Sequence, residues 1–509
     1  MSGRARTALL ISVLATWAAF VIYVSFHHEP WRDEVRALSI AIEPDHFWEI
    51  APQLHEEGHP IVWYLILRAA WTITGTPVVL KVAAVTIATC AVYLFLFHSP
   101  FPLPQRVLFV FGTIPLYEYS VIARNYGIAM LLLFLFATLR RLPRPGPIVN
   151  AGILALFANT NAYAAFLAPI VTLAWISVEW ARDPSATRGN WRRWAAVLLI
   201  VVTGVIISAA TASPEPDTPF LNDSDFSASR IARTVTASVL HPARYDSAII
   251  PIGARLLALF LLAGLAVRPG LALAGFASFL SVGVFHDLIY GARLRHQGML
   301  LLVILILYWI ALESVSDRHR EGWRFRLFRL GCTVAIPLLL CLQIINPRPS
   351  RTGYPTSFHR AWADVVAPSS SSERVAELIR STPELSIAIV TGDPQTYLDS
   401  MPYYISNRVY FARQEAFGLY AHHGNGVRYS LSLRDLLSTA RRLRSEEKVP
   451  VIILIGWIDF ENEGHDARRA TARFIWDETQ LAELEGETRK LAEYRDSLLE
   501  EDFEVYILE

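Results

Sequence analysis

Charge is what this sequence has least of. Only 18% of its 509 residues are Asp, Glu, Lys or Arg, and 53% are hydrophobic. A soluble globular chain carries about 25% charged residues. The shortage is local: residues 1–345 are a series of apolar runs, whereas 346–509 read as ordinary soluble protein. Lys plus Arg and Asp plus Glu both number 46, so there is no global basic field, and no nucleic-acid partner is expected. Cysteine is also scarce. Cys90, Cys332 and Cys341 all sit in apolar runs, which excludes a disulfide framework or a zinc spacing and leaves them as small core residues. A Gly-rich phosphate loop is missing too.

What is present is a succession of membrane-length segments. Residues 8–26 are uncharged and follow Arg4 and Arg6. Spanning a bilayer takes about 20 apolar residues, and no small-residue cleavage site follows. This predicts a retained first helix with a cytoplasmic amino end. Further spans are predicted at 59–75, 78–98, 121–139, 148–160, 163–181, 194–212, 251–267, 271–285, 298–314 and 328–345, about eleven in all. Alternating them gathers three basic clusters on the cytoplasmic side: Arg140, Arg141 and Arg144; Arg182, Arg188, Arg192 and Arg193; Arg318, Arg320, Arg324, Arg326 and Arg329. Segments 27–58, 213–250 (with Glu215, Asp217, Asp223 and Asp225), 286–297 and the carboxy-terminal part then lie outside. Residues 103–118 are apolar but short and hold Pro104 and Pro115. They read as a re-entrant or partly inserted segment, tolerated against protein or a wet cavity.

The outer segments carry the chemistry. The first opens His27-His28-Glu29-Pro30-Trp31-Arg32-Asp33-Glu34. Two adjacent carboxylates at a membrane surface suit a general base; a solvated loop with Arg32 and Arg36 as salt partners is the alternative. The amphipathic stretch 37–54, with Phe47 and Trp48, suits the interface plane. Glu57-Gly58-His59-Pro60 then precedes Trp63 and Tyr64. A helix start explains Pro60 and an aromatic belt explains Trp63 and Tyr64, but neither explains Glu57 or His59. Arg124, in Ala123-Arg124-Asn125-Tyr126, can bind a phosphate through its planar fork or pair with Glu118. Asn159-Thr160-Asn161-Ala162-Tyr163 is a helix-connecting turn or a polar subsite. Tyr290-Gly291-Ala292-Arg293-Leu294-Arg295-His296-Gln297-Gly298 puts cations on the side opposite the positive-inside expectation. An anionic ligand would explain that. A base together with a phosphate clamp is equipment for displacing phosphate from an activated sugar.

Trp31-Arg32-Asp33-Glu34 after the first helix resembles the acidic first-loop motif of the GT-C superfamily of polytopic glycosyltransferases. Gly58-His59-Pro60 looks like their His-Pro-Pro-Leu-Tyr segment, with Ile61 in place of the second Pro, and Ala123-Arg124-Asn125-Tyr126 is similar to their Arg-x-Tyr helix start. The nearest branch is the bacterial one of protein mannosyltransferases, aminoarabinose transferases and lipopolysaccharide-core sugar transferases. The resemblance implies a polyprenyl-phosphate sugar as donor and a lipid, glycan or protein acceptor. The anomeric centre would invert. The location it implies is the bacterial inner (plasma) membrane. It implies that Asp33 is the base, that Glu34 supports it or binds the acceptor, and that Arg124 holds the donor phosphate. Tyr126, Glu57 and His59 join them as substrate-binding positions from the matching motifs. Arg295 and His296 are added on charge grounds alone. No cofactor is required; a divalent metal shared by two carboxylates is compatible, although no ligand spacing demands it.

Residues 346–509 alternate strand patterns (386–391, 409–411, 451–456, 503–508) with helical ones (371–381, 432–445, 467–498). They predict an extracytoplasmic α/β domain with a largely parallel sheet. The expected architecture is thus mainly α: a polytopic transmembrane helix bundle over 1–345 and a C-terminal soluble α/β domain over 346–509. Two competing functions fit some residues, a transporter or flippase of an anionic lipid and a non-catalytic envelope scaffold. Transport would place ionisable groups at mid-membrane depth, where the spans hold almost none. A scaffold leaves Asp33 and Glu34 without a purpose.

Overall fold

The computed structural model describes residues 2–142, 146–213, 249–289, 294–315, 322–345, 356–423, 426–456, 458, 460, 465–469, 472–498 and 501–509. Each of the eleven predicted apolar segments overlaps a helix, although 59–61 and 121–125 precede the helices Val62–Thr74 and Tyr126–Leu139. Among the described residues, seven helices are long and apolar enough to cross a membrane: Gly3–His27, Val79–His98, Ala162–Arg182, Trp191–Ala212, Pro269–His286, Leu294–Ser314 and Trp323–Ile344. The chain is an integral membrane protein. Val62–Thr74, Tyr126–Leu139, Pro147–Ala158 and Ile249–Leu265 are apolar but shorter. Leu294–Ser314 is buried along nearly its whole length and runs through the centre of the bundle. Its residues are apolar all round, as a helix with no lipid-facing or water-facing side requires.

The short segment behaves as its prolines suggest. Leu103–Val110 forms a helix and Ile114–Glu118 a π-helical turn, with Pro115 in its first positions. The turn is fully buried and positions Tyr117, Tyr119 and Arg124 beneath the first loop. Asn159, Thr160 and Asn161 are a buried helix connection rather than a subsite. Asn161 Oδ1 caps the next helix by accepting from Ala164 N at 3.0 Å, and Asn159 Nδ2 donates to Gly204 O at 2.8 Å. The first bond satisfies an amide that the helix start would otherwise leave unpaired, and the second ties the connection to the interior of the helix Trp191–Ala212. Arg144, Arg318, Arg320, the acids at 215, 217, 223 and 225, and residues 290–293 lie outside the described residues.

After residue 356 the chain is α/β. The main sheet has six strands: β1 (Ile389–Asp393), β2 (Val409–Phe411), β3 (Ala416–Phe417), β5 (Val451–Gly456), β8 (Arg489–Tyr494) and β9 (Phe503–Leu508), in the order β3-β2-β1-β5-β9-β8. A smaller sheet joins β4 (Ser430–Ser432), β7 (Ala472–Ile475) and β6 (Asp466–Arg469) in the order β4-β7-β6. Only β1 runs parallel to its main-sheet neighbours, β2 and β5. The pairings β2–β3, β5–β9 and β8–β9 are antiparallel. The sheet is therefore mixed, not largely parallel, and the single helix expected over 467–498 is wrong. That stretch holds β6, β7, the helix Glu478–Glu487 and β8. Arg473 on β7 bonds Asp466 on β6 across the hairpin, and Arg468 bonds the same carboxylate from within β6.

This part of the chain is tied to the bundle. The helix Ser357–Val366 lies against the first helix, with Phe358 edge-on to Phe20 at 5.5 Å and Trp362 stacked on Tyr23 at 5.8 Å. The first-loop helix Arg32–Ile42 is buried between Val62–Thr74 and the segment Gln395–Ser400. Phe47 and Trp48 remain about 60% exposed, as expected of residues at a membrane interface.

Candidate active site

Asp33 and Glu34 are neighbours in the first turn of Arg32–Ile42, yet they serve opposite sides of it. Adjacent helical residues diverge by about 100°. Asp33 faces the cations. Its Oδ2 accepts from Arg124 Nη1 at 2.5 Å and lies 3.7 Å from Arg295 Nη2. Arg124 Nη2 reaches His59 Nε2 at 3.1 Å. Four positions singled out in the sequence, far apart along the chain, thus meet in one cluster. Tyr126 and His296 border it, with their rings 5.9 Å apart. Tyr163 stacks on His296 at 5.0 Å and meets His286 at 5.4 Å, and of these His286 was not marked in the sequence. Tyr119 fixes the helix that carries Arg295: its hydroxyl donates to Arg295 O at 2.5 Å, and at Gly298 any Cβ would fall 2.5 Å from that hydroxyl.

Two donors in this cluster are unsatisfied. Burial, followed by the Arg124 charge, holds the His59 ring down at about 3. His59 is therefore neutral; its Nε2 accepts from Arg124 and its Nδ1 carries the proton. That Nδ1 is buried without a partner among the described residues, as is Arg295 Nε. A buried, unmade donor costs about 1–3 kcal/mol, so two of them beside a guanidinium pair suit a bound anion or hydroxyl. Asp33 keeps 31% of its side chain exposed, enough to meet a ligand.

Glu34 and Glu57 are placed elsewhere. Glu34 is fully buried. One oxygen accepts from Ala123 N at 2.5 Å, and the other from His28 Nε2 at 2.8 Å and Trp31 N at 3.3 Å. Glu57 pairs with Arg36, which also reaches Asp399 and the Ala421 carbonyl. These contacts clamp the first loop to the α/β part. Asp393 is spent in a similar way, buried against Arg413 at 2.5 and 3.0 Å.

The group that sequence reasoning missed is His28. Its ring bridges Glu34 at 2.8 Å and Asp364 Oδ2 at 2.7 Å, all three being buried. Tyr117 Oη and Ser369 Oγ also donate to Asp364, each at 2.7 Å. Burial alone would push His28 down, but the Glu34 and Asp364 charges outweigh it and hold the ring up to about 10. The partner that makes it an imidazolium comes from 336 residues away, so no local pattern could announce it. Its effect on stability has a definite sign. A histidine raised this far stabilises the folded state fully below its unfolded value of about 6.5 and loses that contribution as pH rises towards 10. Thermal unfolding of the purified protein should therefore shift downward between pH 7 and pH 10. His28→Ala should cost about 3–5 kcal/mol, because two buried carboxylates lose their cation, and should flatten that pH dependence. A wild-type pH profile in the variant would show that His28 is not charged.

No protein-family model matches the chain, and no curated protein matches it. Solved structures do. The chain superposes on crystal structures of ArnT from Cupriavidus metallidurans, in the apo state at 11% identity with TM-score 0.50, covering 100% of this chain and 98% of that one, and bound to undecaprenyl phosphate at 12% identity with TM-score 0.49, covering 99% and 98%. The chain shares the fold of the apo structure over its whole length. Within that fold the first-loop acid, the Arg124 helix start and the Arg295 helix start converge on one site. The resemblance read from the Trp31–Glu34, Gly58–Pro60 and Ala123–Tyr126 motifs is matched at the level of architecture. Among the described residues no group of three His, Cys, Asp or Glu side chains is placed to hold a metal ion. Asp33 itself faces two guanidinium groups, which repel a cation.

Proposed function

We propose that this protein is a membrane glycosyltransferase that moves a sugar from a polyprenyl-phosphate donor to an acceptor hydroxyl with inversion. The observation that carries the reading is the Asp33–Arg124–Arg295 cluster, with its buried unpaired donors, at the start of two bundle helices. Asp33 accepts the proton of the acceptor hydroxyl. The freed oxygen forms the new bond to the anomeric carbon while the bond to the phosphate oxygen breaks. Polyprenyl phosphate leaves, its charge held by Arg124 and Arg295, and the proton stays on Asp33. The short Arg124–Asp33 contact supplies an order of events. A donor phosphate competes for the fork of Arg124, and the carboxylate it releases becomes available as a base. His59 Nδ1 supplies one further donor for a sugar or phosphate oxygen, and Tyr126 and His296 line the sugar side. Glu34 and Glu57 act as positioning residues: Glu34 holds the turn that presents Asp33, and Glu57 holds Arg36 and through it the loop.

On this reading residues 1–345 form the catalytic domain. Residues 346–509 form the extracytoplasmic domain, which braces the first loop from the outer side of a bacterial inner membrane. Transport is disfavoured by where the stray cations go. Lys81 donates to His28 O, Arg68 to the carbonyls of Ala41, Ile42, Pro44 and Asp45, and Arg106 to those of Leu96 and Phe101. They complete backbone caps rather than mark a pathway. The test is mass spectrometry of envelope glycans and lipid-linked sugars in cells with and without the protein. A sugar absent from one acceptor, with its lipid carrier accumulated, is the expected result and names both substrates. Identical glycans and carrier pools in the two strains would end the proposal.

A further inference from the structure

A second polar site lies at the other end of the bundle. The helix Leu294–Ser314, 21 residues long, separates it from Arg295 by about 30 Å at the helical rise. There a cavity of about 450 Å³ opens between helix ends, lined by Arg140, Arg141, Arg182, Arg193, Glu179 and Glu313. Trp175 and Trp194, edge-to-face at 5.2 Å, form an aromatic wall. Four cations face two anions, and the anions are already engaged. Glu313 accepts from Arg140 Nη2 at 2.5 Å, Arg141 Nη1 at 2.9 Å and Trp309 Nε1 at 2.7 Å. Glu179 lies 3.6 Å from Arg182. Arg193 has no ion pair among the described residues.

Arginines that merely orient a protein in a membrane need only water around them. These do not fit that description. The Arg140 side chain is only 3% exposed. Its Nε is buried without a partner among the described residues, and so is the Oδ1 of Asn150, another lining residue. An unmade donor on a buried cation is satisfied by an anion, and an unmade amide oxygen by a hydroxyl. The volume suits a small polar ligand, and surplus positive charge at a membrane surface attracts anionic headgroups. We propose that this cavity binds a phosphate group bearing a neighbouring hydroxyl, supplied by a phosphoglycerol lipid headgroup or as free phosphate. The inference stands independently of the sugar-transfer reading.

Arg182 and Arg193 are exposed, so Arg182→Gln/Arg193→Gln should fold normally. The full-length protein in detergent would be titrated with phosphatidylglycerol, phosphatidylcholine and inorganic phosphate, with retention read by native mass spectrometry and by shift of the thermal midpoint. The expected result is preferential retention of phosphatidylglycerol over phosphatidylcholine, weakened about tenfold or more in the double variant, or about 1.4 kcal/mol. Inorganic phosphate that stabilises the wild type alone and competes with the lipid identifies phosphate itself as sufficient. Retention of the lipid without any phosphate effect assigns the site to the membrane. Equal binding of all probes by wild type and variant, or no preference for phosphatidylglycerol in the wild type, overturns the proposal. Arg193→Gln alone, further from the Glu313 pairs, repeats the test with least disturbance.

Discussion

Asp33→Asn should leave a folded protein whose sugar transfer is slower by about 10²–10⁴-fold, with the KM for the lipid donor nearly unchanged. That range is the usual worth of a positioned general base. Asparagine has the shape of aspartate and can still accept from Arg124, so the cluster keeps its arrangement while the proton acceptor is lost. A rate loss without a KM change separates chemistry from binding. The neighbouring change provides the contrast. Glu34 is fully buried and already makes its bonds to Ala123 N, Trp31 N and His28. Glu34→Gln removes one of the two charges that hold the His28 imidazolium, so its main effect should be on thermal stability, with turnover following the folded fraction. The two variants are assayed side by side for initial rate and unfolding midpoint. Transfer at the normal rate in Asp33→Asn would remove Asp33 as the base.

The contrast also shows what sequence could and could not supply. The helices were legible because membrane spans are long, uniformly apolar and bounded by charge, a signal that survives without any partner being known. Asp33 was legible as an acid at a membrane edge, Arg295 as a cation on the wrong side, Arg124 as an arginine opening an apolar helix, and His59 as a residue that a helix start leaves unexplained. Their union at 2.5–3.7 Å confirms only that they meet. The direction of each side chain was not legible. Asp33 and Glu34 were both placed at the reaction centre, whereas a helical step of about 100° gives them different neighbours. His28 was invisible because its meaning depends on Asp364 and Tyr117, brought in from a different part of the fold. The β6–β7 hairpin was misread for the same reason: short charged strands carry little periodicity of their own and are fixed by the ladder that accepts them.

Arg124→Ala should lower kcat/KM for the lipid-linked donor by about 10²–10³-fold, the usual cost of deleting one donor aimed at developing charge. Two effects oppose each other in this variant. Removing the guanidinium frees Asp33 from its 2.5 Å partner, which favours a more reactive base. It also removes the clamp on the leaving phosphate. The second effect should dominate, because the charge on the phosphate grows as the bond breaks, whereas the donor phosphate already draws the arginine away from Asp33 in the productive complex. Arg124→Lys should recover little, since an ammonium cannot bridge Asp33 and His59 or grip a phosphate with two parallel bonds. Arg295→Ala should cost less, because Arg295 sits 3.7 Å from Asp33 and shares the load. The double variant should lose less than the product of the single losses, as expected of residues that act on one group. Initial rates across a donor titration decide the matter. An Arg124→Ala enzyme as fast as wild type, or faster, would mean that the arginine serves only to restrain Asp33 and that the leaving phosphate is held elsewhere.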